Sequence, residues 1–336
     1  METDVRKLAR YTETYLVIII AALSLLITAR NPSFLTLENM FDLLKSYSFF
    51  GVLSVGVLMV LVSGGIDISF AAVATVAEYL VAVFMMRVGG NIFISFAIAA
   101  AVGAVLGYFN GVLVNRFRIP PIIATIATMN AYYGLLIVAT GGKWIYDLPL
   151  WFCEFAEIQV FTLHTPDDVT YGLSIITVIW FAVMIAGVLM LRFTMLGRSI
   201  YAIGGDRKSA LRVGLNVRRT EEFVYSFMGF LAGIAGVIQA LQVQTIAPNS
   251  IVGKELNIIA AVVLGGASLT GGKGSVLGAF LGLVLLAVVK NGMTLMAMPP
   301  VWYEFFVGCV ILISVGITSY KGKLERRRTA SIQVRA

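Results

Sequence analysis

The chain reads as apolar runs separated by short polar joints. A bilayer core about 30 Å thick takes about 20 helical residues to cross, fewer where flanking side chains reach for the surface. On that scale ten runs qualify, at 15–28, 44–62, 66–86, 92–114, 122–139, 173–191, 223–243, 256–269, 276–290 and 302–317. Several carry small residues four apart: Gly103, Gly107 and Gly111 on the fourth, Gly229 and Gly233 on the seventh, Gly278 and Gly282 on the ninth. Such faces let helix backbones approach closely, which predicts a packed bundle rather than separate anchors.

The joints differ among themselves. The longest polar one, 197–219, reads GRSIYAIGGDRKSALRVGLNVRR. Gly204-Gly205 is a turn signal and Asp206 a good N-cap, and residues 207–213 suit a short amphipathic helix stopped by Gly214. Two further joints carry glycine pairs, Ser63-Gly64-Gly65 and Gly265-Gly266, each interrupting an apolar run. They read either as tight helix turns or as the broken helices that line a transport pathway. The similarity between them hints at a repeat, but the surrounding spacings do not match.

Charge orients this pattern. With the N-terminus cytoplasmic, 19 Lys and Arg residues fall on inner segments and 6 on outer ones, which supports ten spans with both termini inside. The expected layout is a cytoplasmic N-terminal segment at 1–14, one transmembrane domain at 15–320 with a periplasmic loop at 141–170 and a cytoplasmic loop at 192–222, and a basic tail at 321–336. Residues 15–28 follow Arg6, Lys7 and Arg10 but precede Arg30-Asn31-Pro32 without a small-residue cleavage site, so they read as a retained anchor.

Composition narrows the class. At 59% hydrophobic and 13% charged residues, too little polar surface exists to cover a water-soluble globule. The net charge of +7 is dispersed over loops as topogenic charge, so nucleic acid is not a partner. His164 is the single histidine, and Cys153 and Cys309 show no metal-ligand spacing, which leaves no catalytic or metal constellation. The glycine-rich stretch at 271–275 fails the phosphate-loop pattern, so ATP-driven work would need a second chain for hydrolysis. Asp67, Glu78, Lys290 and Glu304 are ionisable groups within or near spans. Asp67 suits a cap on the third helix or a turn that moves in transport. Glu78 needs a hydrogen-bonding partner, and Lys290 and Glu304 can reach the outer surface. Asn110, Asn115, Asn130, Asn257 and Asn291 suit helix-to-helix bonds or a polar solute.

Three segments, SGGIDIS at 63–69, GYFNGVLVNRFRIPPIIATIAT at 107–128 and ELNIIAAVVLGGASLTGGKGSV at 255–276, resemble the permease subunits of bacterial ABC importers for simple sugars, the branch that includes autoinducer-2 permeases. The loop at 197–217 is similar to that family's cytoplasmic ATPase-docking loop. The chain departs from the pattern at Phe70-Ala71, Asp206, Asn257 and Ala267, where the family usually carries Val-Gly, Asn, Asp and Thr. The resemblance implies an all-α polytopic fold of about ten helices in the type II importer arrangement, in the bacterial inner membrane. It implies a translocating rather than enzymatic chain, with ATP and Mg on a partner ATPase, no cofactor or metal of its own, a second permease chain, a periplasmic sugar-binding protein and membrane lipid around it. It assigns ATPase coupling to Gly197, Arg198, Tyr201, Gly204, Gly205, Asp206 and Arg212. The pathway or gate candidates are Ser63, Gly64, Gly65, Asp67, Asn110, Glu255, Asn257, Gly265 and Gly266. The solute expected is a monosaccharide or similar small polyol. A stand-alone secondary transporter or channel is the alternative, and it predicts paired buried carboxylates mirrored in two halves.

Overall fold

A computed structural model describes residues 2–164, 170–310, 312 and 316. The expected tail at 321–336, most of the last seven residues of the tenth predicted span, and Asp167 and Asp168 lie outside the described residues. The helices are α1 (Glu2–Arg30), α2 (Leu37–Val62), α3 (Phe70–Val88), α4 (Ile92–Arg116), α5 (Pro121–Thr140), α6 (Leu150–Ala156), α7 (Ile175–Phe193), α8 (Met195–Gly205), α9 (Arg207–Arg212), α10 (Val217–Val243), α11 (Glu255–Leu264), α12 (Val276–Leu295) and α13 (Val301–Val310). Among the described residues, eight are long and apolar enough to cross a membrane, and α11 and α13 are shorter apolar helices. At 1.5 Å per residue α11 covers about 15 Å, half a bilayer core.

Helices α2 and α10 are the most buried, and α1 is the outermost. Helix α10 packs on α2, α3 and most extensively on α4. The α4–α10 seam is built by the glycines spaced four apart. A Cβ on Gly103 would lie 2.0 Å from the Gly229 carbonyl oxygen, and one on Gly233 the same distance from that of Ala99. No side chain fits there, so backbone meets backbone over three turns, as small-residue faces allow. The α11–α12 pair uses the same device, with Gly282 against Ala261 and Gly278 against Gly265.

Polar joints collect at two ends. The end carrying the 194–216 segment, called the inner end after the charge-based expectation, also holds the 63–69 turn and the 265–275 loop. At the outer end an isolated bridge joins Ile145 to Ile246, Asn31 Nδ2 donates to the Leu295 carbonyl at 3.1 Å, and Lys45 pairs with Glu157 at 3.5 Å. The region expected as one loop at 141–170 has structure of its own. It contains α6 and β1 (Gln159–His164), which pairs antiparallel with β2 (Thr170–Ser174), His164 opposite Thr170 and Thr162 opposite Gly172. Phe41 of α2 packs edge-on against Phe161, 5.5 Å between ring centres, and seats the hairpin on the bundle.

Candidate functional site: the inner junction

Four elements meet at the inner end: α8, α9, the end of α2 with its following turn, and the loop before α12. Helix α8 begins where Thr194 caps it, its Oγ1 accepting from the Gly197 amide at 3.1 Å. Gly197 is required by space, since a Cβ would sit 2.3 Å from the Leu191 carbonyl oxygen in the corner between α7 and α8. Tyr201 Oη donates to the Gly274 carbonyl at 2.7 Å, and burial pushes that phenol's pKa up.

Gly204 and Gly205 do not form the expected turn. They are the last residues of α8, in ordinary φ, and the direction changes at Asp206. Their surroundings differ sharply. A Cβ on Gly204 would lie 1.8 Å from the Val62 carbonyl oxygen and 2.6 Å from the Gly272 amide nitrogen, whereas one on Gly205 would meet nothing within 4 Å. The same Val62 carbonyl, at the end of α2, accepts from the Gly272 amide at 2.9 Å. Gly271 and Gly272 lie over Gly204 and Gly205 with φ of 89° and 72°, a backbone that favours glycine. Three chain segments thus touch through their backbones.

Helix α9 follows the expected pattern, ending one residue earlier at Arg212. The Asp206 carboxylate accepts from the Lys208 and Ser209 amides at 2.9 and 3.3 Å and from Ser209 Oγ at 2.6 Å. Those bonds, led by the Ser209 hydroxyl, hold its pKa below the usual carboxylate range. Arg207 grips Glu221 of α10 through Nε and Nη2, at 3.0 and 3.3 Å, and the partnership raises the guanidinium's pKa. Buried Ile203, Ala210 and Val217 form a small apolar cluster joining α8, α9 and α10. On the outer side of the unit Arg198, Gly205, Lys208, Leu211, Arg212 and Val213 are exposed, Leu211 by 53% and Val213 by 75%.

The pathway candidates do not gather into one site. Ser63, Gly64, Gly65, Asp67 and Asn110 lie at the inner end, and Glu255 at the start of α11 lies toward the outer end with Asn257 two residues on. Both glycine pairs are helix C-termini. Gly64 and Gly266 have φ of 86° and 90°, and the amides of Gly65 and Ala267 each reach back five residues, to Val60 and Val262. The two turns share one cap geometry, the Schellman arrangement. Gly265 is buried against Gly278, while Gly266 is exposed. Asp67 does not cap α3, which starts at Phe70, later than the predicted 66. Its Oδ1 accepts from the Ser69 amide and hydroxyl, both at 2.7 Å. Ser69 Oγ in turn accepts from Asn110 Nδ2 at 2.6 Å, and Asn110 Oδ1 accepts from Tyr132 Oη at 3.2 Å. Ser63 Oγ donates to the Val60 carbonyl. Glu255 Oε2 accepts from the Gly253 amide at 2.8 Å, while Oε1 is buried with no partner among the described residues. Asn257 is half-buried. Glu78 finds its partner in Ser250, which donates to its Oε1.

Sequence reasoning singled out neither Thr125 and Tyr132 of α5, nor the Val62 carbonyl, nor Glu13, which accepts from the α12 cap Ser275 at 2.6 Å. Only Thr125 carried a signal, within the 107–128 motif.

This is a multi-pass membrane protein of the translocating class, with many close-packed helices and a structured polar junction at one end. The sequence profile of the family described as "Branched-chain amino acid transport system / permease component" matches residues 39–315, and the chain belongs to that family. It is 36% identical over 307 residues to the autoinducer 2 import system permease protein LsrC of Klebsiella pneumoniae, covering 91% of this chain and 85% of that one. It is 33% identical over 309 residues to the ribose import permease protein RbsC of Escherichia coli, covering 91% and 92%. No solved structure matches the chain.

Proposed function

We propose that the chain forms half of the membrane pathway of an ATP-driven importer for a monosaccharide or similar small polyol in the bacterial inner membrane. In this reading a second permease chain, identical or paralogous, completes the pathway. A periplasmic binding protein delivers the solute to the outer end, and a separate ATPase, carrying the ATP and Mg, binds the inner end. Both termini are then cytoplasmic, 192–222 is the ATPase-facing loop and 141–170 the periplasmic one. The names of the ribose and autoinducer-2 relatives support a sugar-like solute, and selectivity would rest mainly with the binding protein.

The observation that carries the reading is the two-sided build of the α8–α9 unit. Its inward side is locked to the end of α2, to the loop before α12 and to α10, while its outward side leaves Leu211 and Val213 uncovered beside Arg198, Lys208 and Arg212. An apolar knob with a basic rim on a short helix fits a groove in a partner, and a push on it reaches three membrane helices. Shifting a two-state pathway from 1:99 to 99:1 takes about 5.5 kcal/mol of differential binding, so such a contact must be firm in both states. In the stand-alone alternative, carboxylates would pair at the midplane. Asp67 instead precedes α3 and bonds to Ser69, whereas Glu78 lies in the middle of α3 and bonds to Ser250, so the two carboxylates do not pair.

The test is a mild-detergent capture of the tagged chain with an ATPase assay on the eluate. A copurifying ATPase that is lost with Leu211→Asp and Val213→Asp together is the expected result. A clean, inactive homo-oligomer, or an ATPase that ignores both substitutions, overturns the reading.

A further inference from the structure

Helix α5 is sparsely anchored. It packs mainly on α3 and α4, and Ile123, Asn130, Leu135 and Val138 stand exposed along its other side. Two bundle-facing side chains reach beyond the helix. Toward its middle, Tyr132 Oη shares its proton between the Leu106 carbonyl at 3.1 Å and Asn110 Oδ1 at 3.2 Å, both on α4. Since α4 is locked to α10 through the glycine seam, α5 is held fast at this point.

Near the inner end the anchor is Thr125, fully buried. Its Oγ1 accepts from the Ile68 amide at 3.3 Å. Its single proton has three acceptors within reach, the Ile66 carbonyl at 3.3 Å and, on its own helix, the Pro121 and Ile122 carbonyls at 3.0 and 3.5 Å. Ile66 and Ile68 belong to the 63–69 turn, whose Gly64 lies under Gly204 of α8. A continuous chain of contacts therefore runs from α8 through the backbone of the turn to the Thr125 hydroxyl and so to α5.

We propose that Thr125 is a positioning residue for translocation, coupling α5 to the 63–69 turn so that displacement of α8 tilts α5 about its Tyr132 attachment. The inference rests on the reading of α8–α9 as the ATPase contact. The hydroxyl suits the task because its proton passes between the Ile66 carbonyl and those of its own helix without leaving its own oxygen or the Ile68 amide unpaired. A methyl in its place leaves the Ile68 amide without an acceptor and removes the tie. A single such bond shifts an equilibrium by about 2- to 10-fold.

The experiment uses the captured complex in lipid nanodiscs, with Cys153→Ser and Cys309→Ser as background and Asn130→Cys as reporter. Asn130 is exposed on α5, and among the described residues its amide bonds to the Ile126 carbonyl one turn back, so its accessibility follows the helix. The readout is the rate of labelling by a charged maleimide in nucleotide-free and vanadate-trapped states. With Thr125 intact the rate changes about fivefold or more between the states. With Thr125→Val, which keeps the volume, the change falls below about twofold while basal ATP hydrolysis persists, and Thr125→Ser restores it. An undiminished change in Thr125→Val, or no rescue by Ser, overturns the assignment. A complex with Thr125 intact whose labelling ignores nucleotide overturns the reading beneath it, which separates the two failures.

Discussion

Adjacent glycines give the sharpest test of the inner junction. Gly204→Ala adds one methyl at a point 1.8 Å from the Val62 carbonyl oxygen and 2.6 Å from the Gly272 amide nitrogen. Both neighbours are backbone, so neither can rotate away. Restoring an ordinary contact near 3.4 Å moves α8 or the end of α2 by about 1.5 Å, and the Gly272-to-Val62 hydrogen bond cannot survive that shift unchanged. Overpacking of this kind costs about 1–3 kcal/mol, which depletes the docked arrangement by about 5- to 150-fold. Gly205→Ala meets nothing within 4 Å and lies at an ordinary φ, so within the chain it is harmless and mildly favours the helix. The assay is ATP hydrolysis by the reconstituted complex with and without its binding protein, alongside thermal unfolding of the purified chain. Gly204→Ala is expected to lose the stimulated component and unfold earlier, with Gly205→Ala unfolding like the unsubstituted chain. Equal stability and stimulation in both variants would refute the claim that the junction is closed by backbone contact at Gly204.

Other expectations are more local. Asp206→Asn should keep α9 capped and Asp206→Ala should not, read as proteolytic protection of the 206–216 segment. The folded-state pKa of Asp206 is depressed, so the carboxylate's contribution is present above the ordinary carboxylate pKa and lost only as pH falls through the lower folded value. Protection in the unsubstituted chain should therefore hold across mildly acidic pH, and a loss near pH 6 would contradict the hydrogen-bonded cap. In the α4–α10 seam, Gly103→Leu should abolish recovery of monodisperse protein, whereas Gly134→Ala, with nothing within 4 Å of its Cβ, should leave it unchanged. For orientation, Lys208→Cys should react with an impermeant maleimide only in inside-out vesicles and Lys143→Cys only in right-side-out ones. The reverse pattern would overturn the assignment of the inner end to the cytoplasm.

What the sequence disclosed and what it hid divide along the range of the interactions. Span positions follow from runs of apolar residues, and the Asp206 cap from bonds two and three residues away, so both were legible without knowing any neighbour. The small faces on the fourth, seventh and ninth spans announced close packing but not its partners, because Gly229 would serve Gly103 or Gly278 equally well. The outer region at 141–170 escaped notice for another reason: α6 has seven residues and the strands six and five, too short for any period to rise above their mixed polarity.

The glycine pairs show how a local signal can be right in kind and wrong in consequence. At 64 and 266 glycine marks a left-handed cap, as the turn reading allowed, and the two caps prove alike although their flanking sequences diverge. At 204 glycine marks an approach by a segment 142 residues earlier in the chain and another 68 later, and no pattern within the 197–219 stretch distinguishes that need from a turn. The distinction matters for mechanism. A turn at Gly204-Gly205 would be a flexible joint that absorbs motion, whereas continuous helix up to Asp206, pressed on the end of α2 and tied to α10 by Arg207 and Glu221, transmits it. The junction is therefore stiff where a force from a partner would enter. The compliance must lie farther along, at sparsely packed α5, where one hydroxyl proton can pass between the 63–69 turn and its own helix.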